Sequence, residues 1–124
     1  MAEKAEIRKK IAKPIEAVFG NLDANLFEEN WPVLHKDEFV DEAGKRIKII
    51  YGVTTILGGA PLLQSLLWGG LIMGQSSFFI KIKERKSNEC DLLIVAGGFG
   101  AYRADYGRNE AIAEKIVGFA AKDD

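Results

Sequence analysis

From residue 78 to residue 96 apolar side chains recur at alternate positions, with one polar break at KSNE. Phe78, Ile80 and Ile82 alternate with Phe79, Lys81 and Lys83 before the break, and CDLLIVAGG resumes the pattern after it. A side-chain period of two belongs to a β-strand, and two such runs joined by a few turn residues pair as an antiparallel hairpin. On this reading Cys90, Leu92, Ile94 and Ala96 share one face.

A second hairpin is expected upstream. NLFEENWPVLHKDE contains Pro32 and reads as a connection into a strand over residues 33–40, and EAGK follows as a turn around Gly44. Beyond it Ile47, Ile49, Tyr51 and Val53 alternate with Arg46, Lys48 and Ile50, which predicts a strand with the first set on one buried face.

Two helices complete the set. Pro14 suits a first helical position, and Ile15, Val18, Phe19 and Leu22 form an amphipathic stripe, predicting a helix over 14–22. Asn109 is a candidate N-cap, and Ile112, Ala113, Ile116, Val117 and Phe119 predict a C-terminal helix over 109–121 that covers the sheet. Residues 5–12 fit a strand and a helix about equally well, because Lys9 interrupts the alternation.

The fold class is therefore α+β, an antiparallel sheet of four to five strands with two main helices. With 124 residues, 48% apolar and 28% charged, the chain is expected to form one globular domain over 1–124. An uncharged, glycine-rich apolar insertion at about 52–76 interrupts it. No charged residue stands between Lys48 and Lys81, yet the glycines, Pro61, Gln64 and Gln75 punctuate the run, which argues against a continuous membrane helix. Within it Leu62, Leu63, Leu66, Leu67 and Trp68 are too many large apolar groups for a bare loop. They are expected to pack on the sheet, or to act over 58–74 as a glycine-hinged flap against a second subunit or a membrane surface.

Charge and residue counts narrow the function. Seventeen Lys and Arg against eighteen Asp and Glu leave a net charge of −1, which disfavours a nucleic-acid partner. One cysteine, Cys90, makes no internal disulfide, and the opening MAEKAEIRKK lacks the apolar core of a secretory signal, so a cytoplasmic location is the expectation. One His and one Cys do not make a standard zinc site. No metal or cofactor is expected.

Catalysis finds little support in the residues. His35 has no neighbouring nucleophile, and Cys90 falls on a buried strand face, where a thiol is a packing group. Asp37, Glu38, Asp41 and Glu42 read as a solvated hairpin edge. Gly97, Gly98 and Gly100 follow a strand, but Arg103 stands where a dinucleotide fingerprint needs its third small residue, and no P-loop lysine is present. Arg103 and Arg108 remain as candidate anion ligands beside these glycines.

The stretch IAKPIEAVFGNLDANLFEENWP, within residues 7–32, resembles the start of helix-grip domains of the START and Bet v 1-like group. Pro14, Val18, Phe19 and Trp31 carry the likeness. The resemblance implies a curved antiparallel sheet gripping a C-terminal helix, with an apolar cavity between them for a lipid-like or polycyclic ligand, and it implies no catalytic residues. The functional expectation is a non-catalytic binder of an apolar small molecule or lipid. Leu62, Leu66, Trp68, Phe78 and Ile80 are its candidate lining. The alternative is a protein–protein or membrane-surface interaction module acting through 58–74, with a homo-oligomer as one outcome.

Overall fold

The computed structural model describes residues 4–54, 76–98 and 108–122. Strand β1 (Lys4–Ile11) leads into helix α1 (Ile15–Glu28), strands β2 (Val33–Val40), β3 (Arg46–Val53), β4 (Ser76–Lys86) and β5 (Glu89–Gly98) follow, and helix α2 (Arg108–Ala120) comes last. The five strands form one antiparallel sheet in the order β1-β5-β4-β3-β2. Both predicted hairpins are present: β2–β3 turns at Gly44 (φ 80°), and β4–β5 turns after Lys86. The ambiguous segment 5–12 is strand as far as Ile11, because β5 offers it a ladder from Ile11 opposite Cys90 to Lys4 opposite Gly97.

Both helices pack on one face of the sheet. Ile15, Val18, Leu22 and Leu26 of α1 are fully buried, and Ile112, Ala113, Ile116 and Ala120 of α2 are buried beside them. They meet Phe78, Ile80 and Ile82 of β4 and Cys90, Leu92, Ile94 and Ala96 of β5. Each large apolar side chain enclosed in this way contributes roughly 1.5–3 kcal/mol relative to its exposed state.

Strand β3 corrects the expected alternation. Ile50 pairs with Ile80 and faces the helices, whereas Tyr51 on the opposite face is 38% exposed and Ile49 only half-buried. Register outweighs residue type here, since a strand hydrogen-bonded to β4 must present its helix-facing side chains at the same positions as Ile80 and Ile82. Lys48 therefore points toward the helices. Its ammonium is neutralised by Glu38 at 2.8 Å and lies 4.7 Å from the Phe19 ring centroid.

Helix α1 is longer than its first stripe implied. Leu26 extends the buried row by one turn, and the helix ends in a Schellman arrangement: the Trp31 N–H donates to the Leu26 carbonyl at 3.0 Å and the Asn30 N–H to the Phe27 carbonyl at 3.1 Å. Asn30 takes the left-handed conformation this requires, with φ 63°. Helix α2 starts one residue earlier than expected, at Arg108, so Asn109 lies in the first turn as a buried residue instead of capping it.

The helices are joined through polar contacts at the end of α2. The Asn21 amide donates to the Lys122 carbonyl at 2.8 Å and the Ala120 carbonyl at 3.4 Å, and Lys122 donates back to Asn25 Oδ1 at 3.2 Å. These bonds satisfy carbonyls that a helix C-terminus leaves without partners.

Candidate functional site

The Schellman turn decides where the chain goes next. By reversing direction at Asn30 it folds Trp31 back onto the core, where the indole centroid lies 6.1 Å from Phe78 and 6.0 Å from Phe119, the latter edge-on. Pro32 then comes alongside β3. Its carbonyl accepts the Val53 N–H at 3.0 Å, and Gly52 lies directly beneath. A bulge between Val33 and His35 shifts the register of β2 on β3, which pairs Val33 with Gly52 before it and His35 with Tyr51 after it.

Between the last turns of α1 and the start of β2 this path leaves a groove of about 820 Å³. Phe27, Trp31, Pro32 and Val33 supply apolar walls, with the buried Leu26 behind them. Asp23 and Lys36, an ion pair at 2.6 Å, stand on its lining and hold α1 to β2. Phe27 is 84% exposed, an unusual state for a phenylalanine that touches an open concave surface. Lys115 lies 5.4 Å over the Trp31 ring and forms an ion pair with Glu29.

Among the described residues no three His, Cys, Asp or Glu side chains converge to hold a metal ion. His35 is exposed on β2 opposite Tyr51. Glu38 is committed to Lys48, and Asp37 and Glu42 are exposed. Asp41 is a turn residue whose Oδ1 accepts the Ala43 and Lys45 N–H groups, both at 2.9 Å. Cys90 is buried, its Sγ 3.2 Å from the Lys13 carbonyl, and burial pushes its thiol up to about 11.

Phe78 and Ile80, candidate lining residues from the sequence, are fully buried in the core and do not line this groove. Leu62, Leu66, Trp68 and Arg103, and with them the apolar segment 58–74, lie outside the described residues; Arg108 opens α2. Among the described residues no helix is long and apolar enough to cross a membrane. Sequence reasoning passed over Phe27 and Val33 as groove residues. The available signal was Phe27 itself, a large aromatic off the 15–18–22–26 stripe of an amphipathic helix.

No protein-family model matches the chain, and no curated protein matches it. Solved structures similar to it include an uncharacterised protein from Bacillus thuringiensis, 10% identical, with 96% of each chain covered and a TM-score of 0.49. Ara h 8.0201 is 11% identical over 97% of this chain and 93% of its own, with a TM-score of 0.45. The Zhui aromatase/cyclase from Streptomyces is 9% identical over 97% and 87%, with a TM-score of 0.33.

Proposed function

We propose that this chain is a non-catalytic binding module for an apolar small molecule or lipid, and that the groove between α1 and β2 receives it. One observation supports the reading above others: Phe27, almost wholly exposed, stands at a concavity of about 820 Å³ walled by Trp31, Pro32 and Val33. Small-molecule sites are concave, mainly apolar and of about 300–1,000 Å³, with a few polar groups that fix orientation. Here Asp23, Lys36 and Asn30 are those groups.

The test uses a neutral apolar dye, Nile red, because a charged probe would also respond to the basic residues elsewhere on the sheet. Saturable fluorescence enhancement and a raised melting temperature are expected with the unmodified chain. Phe27→Asp should weaken dye binding by about tenfold, the equivalent of roughly 1.4 kcal/mol. It should leave the melting temperature of the dye-free protein unchanged, because Phe27 contributes little to the core. Non-saturating fluorescence, or equal binding by Phe27→Asp, would remove the groove as the site.

A further inference from the structure

The geometry points to a second binding site, on the sheet face away from the helices, that takes a phosphate-bearing anion. It is independent of the apolar groove. Strand register builds it: Arg8, Leu93 and Lys81 lie side by side across β1, β5 and β4, and Lys10, Asp91 and Lys83 form the next row on the same face. With strands about 4.8 Å apart and residues of one face about 7 Å apart along a strand, the four cations stand at the corners of a rectangle of about 10 by 7 Å. A depression of about 450 Å³ lies among them, with Leu93 and Asp91 between the corners.

The charge at this place is out of keeping with the chain as a whole, whose net charge is −1. Five cations and one carboxylate line the depression. That carboxylate is already engaged, since Asp91 lies 3.3 Å from the Arg85 guanidinium. Arg8 lies 3.4 Å from Glu6, a long and exposed ion pair of small energetic value, and Lys83 lies 3.4 Å from the half-buried Asp41 carboxylate. Among the described residues no carboxylate pairs with Lys10 or Lys81. Cations grouped without matching carboxylates repel one another, and a bound anion relieves that repulsion.

The spacing selects the anion. A single carboxylate reaches one or two corners, whereas a diphosphate spreads several acceptor oxygens across the depression, where lysine ammonium groups and the arginine fork both donate charge-assisted hydrogen bonds. The same chemistry is offered by a soluble phosphorylated compound and by a phospholipid headgroup, and the test separates them.

Isotope-labelled full-length chain is titrated with sodium pyrophosphate and followed by backbone amide shifts. Saturable shifts centred on residues 8–10, 81–83 and 91–93 are expected, weakening as salt is added because the site is exposed. The pair Lys10→Glu and Lys81→Glu should weaken binding by tenfold or more, about the effect of losing two charge-assisted contacts. Nile red binding should be unaffected. A parallel arm measures co-sedimentation with phosphatidylcholine vesicles, with and without phosphatidylglycerol. Pyrophosphate binding lost in the double variant identifies a soluble phosphate ligand. Vesicle binding that needs phosphatidylglycerol and the same two lysines, without pyrophosphate binding, identifies a headgroup. Should the charge reversals unfold the chain, Lys10→Gln with Lys81→Gln is read by the same criteria. Absence of binding in both arms, or binding indifferent to these lysines, overturns the proposal.

Discussion

Gly52 lies beneath the carbonyl oxygen of Pro32, so close that a Cβ there would stand well inside van der Waals contact with that oxygen and 2.6 Å from Cζ of Phe78. The close approach of the segment between α1 and β2 to β3 thus depends on the missing side chain. Backbone sits on one side of the position and a core aromatic on the other, so neither neighbour yields cheaply.

Gly52→Ala should therefore destabilise the fold by about 1–3 kcal/mol, the usual cost of overpacking. A lower urea midpoint checks this. Because the displaced atoms belong to Pro32 and Phe78, the same variant should also perturb the Trp31 environment and the groove. Unchanged stability would mean that the approach is looser than described.

Asn30 should behave as a conformational requirement and not as a side-chain contact. At φ 63° an alanine pays about 1–2 kcal/mol for the left-handed region, whereas glycine enters it freely. Asn30→Ala is expected to lower the midpoint of chemical denaturation, with Asn30→Gly close to the unmodified chain. Equal loss in both would assign the effect to the amide group instead.

Cys90 should be nearly inert while the protein is folded. Burial raises its thiol from 9.0 to about 11, so the thiolate fraction at neutral pH falls about a hundredfold, and access is blocked as well. Iodoacetamide labelling should require denaturant. The linkage has a definite sign. The folded thiol titrates above the unfolded one, so its stabilising contribution is complete below pH 9.0 and is lost as pH rises toward 11. Cys90→Ala should accordingly show a shallower alkaline loss of stability than the unmodified chain.

Asp41 works in the opposite direction. The Lys45 backbone N–H, the largest influence, holds its carboxyl below 3.8 against the opposing effect of desolvation, which ranks second, with Lys83 and the Ala43 N–H adding smaller downward effects. A depressed carboxylate stabilises the fold above its unfolded value and loses that contribution as pH falls through the folded one. Asp41→Asn keeps an acceptor oxygen for the β2–β3 turn, so it should remove part of the acid sensitivity while the hairpin persists. Denaturation midpoints followed from neutral pH into the carboxylate range check this, and identical acid profiles would exclude the role.

Much of the architecture was legible in the residues themselves. The alternation of Phe78, Ile80, Ile82, Leu92, Ile94 and Ala96, with polar breaks at KSNE and EAGK, determined two hairpins and the buried face of β4 and β5. The stripe through Ile15, Val18 and Leu22 determined which side of α1 turns inward. These are local properties, because side-chain period and turn chemistry depend on near neighbours along the chain.

Tertiary structure alone decided the rest. Ile47, Ile49 and Ile50 are interchangeable in composition, and only pairing with β4 chose Ile50 for the helix-facing side and turned Lys48 toward Phe19. Residues 5–11 became strand because β5 had a free edge to pair with. The groove at Phe27 depends on the angle at which the Asn30 turn sends Pro32 over Gly52, and the cation rectangle depends on β1, β5 and β4 lying in register although β1 is separated from β4 by more than sixty residues of sequence. Contacts between distant segments set such positions, and no short window of sequence contains both partners.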